Sequence, residues 1–184
     1  TDVIIALGGG SVIDSAKVIS MAIGSDENAW KIVKGQVKPE RSIPLSCILT
    51  LAATGTEMNS AAVVQNHKTG EKIGFATEQG FPKESFLDPS FTLSVPKNYT
   101  AYGIVDLIAH ALEAYFGPGE PSLTDRITFD IIKDAMDWGP KLLNDLQNVD
   151  LRANIMLDAT LALNGTTQYG KGGGDWGVHG IGHE

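Results

Sequence analysis

A lone cysteine, no surplus of basic residues and no long apolar run are the first constraints on this sequence of 184 residues. One thiol, Cys47, cannot close an internal disulfide, which fits a reducing compartment. It lies within the apolar run from Ile43 to Leu51 and reads as a core side chain rather than a nucleophile. Fourteen Lys and Arg against 22 Asp and Glu leave a net charge of −8, which argues against nucleic-acid and anionic-membrane surfaces. No apolar stretch approaches the roughly 18 residues of a membrane span. A basic, apolar leader is also missing, so a cytoplasmic location is expected. The sequence opens without Met on an apolar run and stops at Gly182-His183-Glu184, so it reads as an internal piece of something longer.

What is present points first to a phosphate. The run Val3-Ile4-Ile5-Ala6-Leu7 reads as a buried strand that meets Gly8-Gly9-Gly10, after which Ser11 opens an amphipathic helix to about Ile23. A strand that passes through glycine into a helix N-terminus aims free backbone N–H groups and the positive end of the helix dipole at one spot. Residues without a Cβ let an anion come close. Ser11 and Asp14 have the spacing of a capping box. The glycine spacing matches neither common nucleotide fingerprint, so a plain strand–helix turn remains the alternative.

Alternation of strand and helix continues to residue 97. A second buried strand spans Ile43–Leu51 and ends in Ala53-Thr54-Gly55-Thr56-Glu57; a hairpin from Ala61 to Ala76 turns at Lys68-Thr69-Gly70. Another short strand ends near Phe86. From residue 98 the apolar period becomes 3.6, with helices expected over 100–116, 122–138 and 150–164. The fold class is therefore an α/β lobe, 1–97, followed by an all-α lobe, 98–184.

Two histidine-containing pairs at i,i+4 spacing stand out in the helical lobe. Asp106 and His110 stack on one face, joined by Glu113, opposite Ile104, Leu107, Ile108, Ala111, Leu112 and Tyr115. His179 and His183 form the second pair. Facing pairs of this kind build divalent metal sites, imidazole suiting zinc or iron(II). A solvated polar stripe is the plain alternative. His67, in the polar hairpin, is expected to be exposed. The segment Gly165–Lys171 imitates a P-loop, but Gly172 stands where Ser or Thr is required and the preceding element reads as a helix.

In order, Gly8-Gly9-Gly10-Ser11-Val12-Ile13-Asp14-Ser15-Ala16-Lys17, Thr50 with Thr54-Gly55-Thr56-Glu57, Asp106-x-x-x-His110 and His179-x-x-x-His183-Glu184 resemble the motifs of iron-containing alcohol dehydrogenases. Arg152–Met156 and Ala162–Gly165 look most like the NADPH-dependent butanol dehydrogenase branch. The resemblance implies a dehydroquinate synthase-like fold, incomplete here at both ends, with an α/β dinucleotide-binding lobe and an α-helical metal-binding lobe. It implies cofactor contacts at Gly9, Gly10 and Ser11 with Asp14, at Thr50 and Thr54, and at Lys72. It implies metal ligands at Asp106, His110 and His179. Spacing alone would make His183 the fourth ligand; the resemblance instead puts that ligand at a histidine beyond it and sets His183 beside nicotinamide and substrate. The expected activity is hydride transfer between primary alcohols or aldehydes and NADP (or NAD), with Fe²⁺ (or Zn²⁺), by a homodimer when full length. The alternatives are a cofactor-binding piece with an incomplete metal site and no turnover, or a glycerol dehydrogenase-like or dehydroquinate synthase-like enzyme.

Overall fold

The computed structural model describes residues 1–182, which fold as two compact units: residues 1–49 with 56–86, and residues 50–55 with 87–182. Among the described residues no helix is long and apolar enough to cross a membrane.

In the first unit β1 (Ile4–Gly8), β2 (Leu45–Leu49) and β5 (Glu84–Phe86) form a parallel sheet in the order β1-β2-β5, with Ala6 opposite Cys47 and Cys47 opposite Ser85. β3 (Ala61–Gln65) and β4 (Lys72–Ala76) form the expected antiparallel hairpin, Val63 opposite Gly74. His67 is exposed in its turn. Helix α1 (Gly10–Ser25) buries Ile13, Ala16, Val18 and Met21, and Cys47 is fully buried, where the loss of solvation pushes its thiol up to about 11. The expected core thiol is therefore found.

Four local expectations are corrected. β1 is buried on one face only: Ala6 is 3% exposed, whereas Ile5 is 64% and Leu7 62% exposed. Parallel strands are ordinarily covered on both faces, and among the described residues only one layer lies over this one. α1 is not closed by a capping box; Gly9 is its N-cap in extended conformation, without a side-chain cap bond, because the Asp14 carboxylate turns inward to tertiary partners. The polar loop after α1 contains a short helix, α2 (Ala29–Val33), started by the Asn28 side chain accepting from the Trp30 and Lys31 amides. Gly8 serves packing: a Cβ there would lie 2.6 Å from that of Val12.

The second unit is a helical stack of α3 (Lys97–Phe116), α4 (Ser122–Asn144) and α5 (Val149–Leu163). Its core joins Ile104, Leu107 and Ala111 of α3 to Ile131, Ala135 and Leu142 of α4 and Ile155, Ala159 and Ala162 of α5. α4 runs six residues past its expected end, through Pro140. The proline forgoes one ladder bond, to the carbonyl of Met136, a residue 63% exposed and open to water. α5 starts one residue earlier than expected, at Val149, with the Asn148 side chain accepting from the Leu151 amide as its cap. Lys171 of the P-loop-like segment pairs with Asp125 at 2.8 Å and bonds the Tyr115 carbonyl at 2.9 Å, so it is a structural tie. A last short helix, α6 (Gly177–Gly182), follows the glycine-rich stretch.

Candidate metal centre

The centre is built from one face of α3 and one residue of α6. Asp106 and His110 are one turn apart on α3, and their side chains approach at 3.8 Å (His110 Nδ1 to Asp106 Oδ2). α6 brings in His179, whose Nε2 lies 3.5 Å from Asp106 Oδ1 and whose ring stacks on that of His110 with centroids 4.3 Å apart. One donor atom from each of Asp106, His110 and His179 lies within 4.8 Å of the others. Trp176 stands edge-on to His179, ring centroids 6.0 Å apart.

The polar stripe of α3 is not solvated. His110 is 4% and Glu113 2% exposed, against a half-buried Asp106. Burial pushes the His110 imidazole down to about 4, more than the nearby carboxylates pull it back, so it is neutral at neutral pH. Among the described residues its buried Nδ1 has no hydrogen-bond partner. His179 is shifted the other way: Asp106 and Glu113 hold its proton more tightly than burial disfavours it. Glu113 meets His179 twice, Oε1 accepting from its backbone N–H at 3.1 Å and Oε2 lying against Nδ1.

These residues fit a divalent ion. Two ligands each about 2.0–2.2 Å from an ion stand roughly 3–4 Å apart, the range of the Asp106–His179 approach. One carboxylate and two imidazoles suit iron(II) or zinc, and a buried His110 nitrogen without a hydrogen bond among the described residues fits such an ion. His183 lies outside the described residues.

The cofactor candidates sit in different settings. Gly9, Gly10 and Ser11 form the opening of α1, where the first helix bonds run from the Val12 and Ile13 amides to the Gly9 carbonyl. The amides before them occupy the positive end of a sixteen-residue helix. Lys72 opens β4 and is exposed; Thr50 and Thr54 are half-buried in the turn after β2. Asp14 is 7% exposed, and its two oxygens accept from the Thr56 hydroxyl (2.5 Å) and the Val63 amide (2.9 Å). Burial raises its carboxyl above the usual range in spite of those bonds. Beside it Lys17, 1% exposed, donates to Thr56 Oγ1, the Asn59 carbonyl and the Ala61 carbonyl at 2.7–2.8 Å. The sequence carried no local signal that this pair faces inward, beyond its place on the apolar side of α1.

The sequence profile "Iron-containing alcohol dehydrogenase" matches residues 1–89, and "Fe-containing alcohol dehydrogenase family, C-terminal" matches 100–184. A probable NADH-dependent butanol dehydrogenase 1 of Bacillus subtilis is 44% identical over 99% of this chain and 47% of its own length. The NADPH-dependent aldehyde reductase YqhD of Escherichia coli is 39% identical over 98% of this chain and 48% of its own. The crystal structure of NADH-dependent butanol dehydrogenase A from Thermotoga maritima superposes with a TM-score of 0.96 at 39% identity, covering 100% of this chain and 46% of that one. The chain thus spans about half the length of the curated relatives it matches. Profiles matching both units, with this structural likeness, place the chain in the iron-containing alcohol dehydrogenase family.

Proposed function

We propose that the protein interconverts primary alcohols and aldehydes by hydride transfer with NAD(P)(H), in a metal-dependent manner. The convergence of Asp106, His110 and His179 carries this reading, since a carboxylate with two imidazoles is a donor set that suits a Lewis-acidic divalent ion. A divalent ion bound there supplies several kcal/mol of charge stabilisation to an alcohol or aldehyde oxygen, and a nicotinamide supplies the redox step.

The chain's own residues have separate tasks. Asp106 contributes the negative charge, and His110, neutral because it is buried, contributes a lone pair without having to lose a proton. His179 adds the second imidazole from α6. Gly9, Gly10 and Ser11 give the cofactor pyrophosphate unblocked backbone amides at the positive end of α1. Thr50, Thr54 and Lys72 add hydroxyls and a positive charge for the same cofactor. Asp14, whose oxygens are engaged by Thr56 and Val63, holds α1 in place instead of touching the cofactor. His183, by family resemblance, orients substrate or passes a proton through its ring nitrogen. The single buried, unpaired cysteine favours a reducing compartment, the cytoplasm, and the family's habit favours a homodimer.

The test is oxidation of NADH and of NADPH with butanal, with and without added Fe²⁺ or Zn²⁺. Metal-dependent turnover supports the reading. Cofactor and metal binding without turnover replaces it with the binding-only alternative.

A further inference from the structure

Glu113 lies one turn beyond His110 on the stripe that carries Asp106, so ligands and carboxylate share one rigid helix. Its side chain is 2% exposed, an expensive place for a carboxylate unless both oxygens are occupied. They are, and both by the same residue: Oε1 accepts from the His179 backbone amide and Oε2 meets His179 Nδ1. The neighbouring backbone is tied down as well, the Asp175 amide donating to the Glu113 carbonyl at 2.9 Å.

α6 needs such a partner. Gly170, Gly172, Gly173 and Gly174 precede it, two of them with positive φ, so this segment loses much conformational freedom when ordered. Trp176, just before the helix, sits in the left-handed region at φ 55° and has no side-chain oxygen with which to cap it. Glu113 supplies from α3 the acceptor that a Ser or Asp at the N-cap would otherwise supply.

We propose that Glu113 is a positioning residue for the metal centre, holding His179 in the Nδ1–H tautomer so that Nε2 is the nitrogen presented beside Asp106. This rests on the metal-site reading above. An ionised carboxylate only accepts hydrogen bonds, so the ring nitrogen against it carries the proton. The other nitrogen, 3.5 Å from Asp106 Oδ1, then keeps its lone pair. A carboxylate behind a ligating histidine fixes ring orientation and raises ligand basicity, and removing one commonly weakens metal binding 10–100-fold.

Glu113→Gln separates positioning from packing, because the amide has nearly the same shape but only one acceptor. If the His179 amide keeps that oxygen, the –NH₂ group faces Nδ1 and drives the ring proton to Nε2. If Nδ1–H keeps it, α6 loses its cap. The experiment measures Fe²⁺ and Zn²⁺ affinity of the full-length protein by chelator competition, with ¹⁵N spectra of the metal-free histidines at a pH where His179 is neutral. Expected are an Nδ1–H signature for wild-type His179 and metal affinity about 10–100-fold weaker in Glu113→Gln. Unaltered affinity with a lower melting temperature would reduce Glu113 to a structural role and overturn the proposal. An Nε2–H tautomer in the wild-type protein would overturn it without any variant. If wild-type binding is itself unaffected by Asp106→Ala, the metal-site reading has failed, a result distinct from the other two.

Discussion

Lys17→Met tests the buried charge network that anchors α1, the helix whose N-terminus is proposed to bind the cofactor. The wild-type ammonium is 1% exposed and donates to Thr56 Oγ1 (2.8 Å), the Asn59 carbonyl (2.8 Å) and the Ala61 carbonyl (2.7 Å), with Asn59 Oδ1 at 3.2 Å. Asp14, joined to it through the Thr56 hydroxyl, is the counter-charge that acts on it most strongly, ahead of Glu57, and burial has already pushed Lys17 down to about 8. Methionine fills the volume and removes the charge and every donor. Breaking one side of a buried pair costs about 3–5 kcal/mol, because the remaining charge stays desolvated without compensation. For a chain of this size that is a fall in melting temperature of roughly 6–20 °C. Urea unfolding of wild type, Lys17→Met, Asp14→Asn and the double variant measures it. Since the second substitution removes the stranded charge, the double variant should lose at least about 1.5 kcal/mol less than the sum of the singles. Additivity within about 0.5 kcal/mol, or a loss below about 1 kcal/mol for Lys17→Met, would refute the reasoning.

Asp106→Ala or His179→Ala should abolish metal retention measured by elemental analysis after gel filtration; an unchanged metal content would remove the site assignment. Gly9→Val should raise the cofactor dissociation constant at least about tenfold, the loss of one charge-assisted phosphate contact. Gly9 has extended backbone angles that valine also adopts, so a fall in affinity would report blocked approach rather than strain, and an unaltered constant would leave the turn merely structural. Asp158, buried in α5, has its carboxyl raised to about 7 by burial and then by Asp134. A folded-state value above the unfolded one means that stability is fully present below about pH 4 and is lost as pH rises to about 7. Asp158→Asn should flatten that slope, worth on the order of 2 kcal/mol after allowance for solvent screening. Parallel melting-temperature profiles for the two proteins would contradict the assignment.

Short-range pattern made much of this protein legible. The β3–β4 hairpin came from two extended runs about a Lys-Thr-Gly turn, and the helices of the second unit from a 3.6-residue period, because both signals lie within a few residues of the atoms that respond to them. The shared face of Asp106 and His110, proposed here as metal ligands, was visible for the same reason: i,i+4 spacing puts the two on one face whatever else the chain does. Periodicity stops at the surface of its own helix. Whether that face meets water or protein is set by partners far along the chain, and Glu113, readable as part of a solvated stripe, is buried by a residue 66 positions away. The same distance effect turned Asp14 from an expected cap into a buried acceptor for Thr56 and Val63, 42 and 49 positions on. Sequence thus determined which side chains share a face, through bonded geometry; only tertiary packing decided which faces lose their water, since desolvation is a property of everything folded against them.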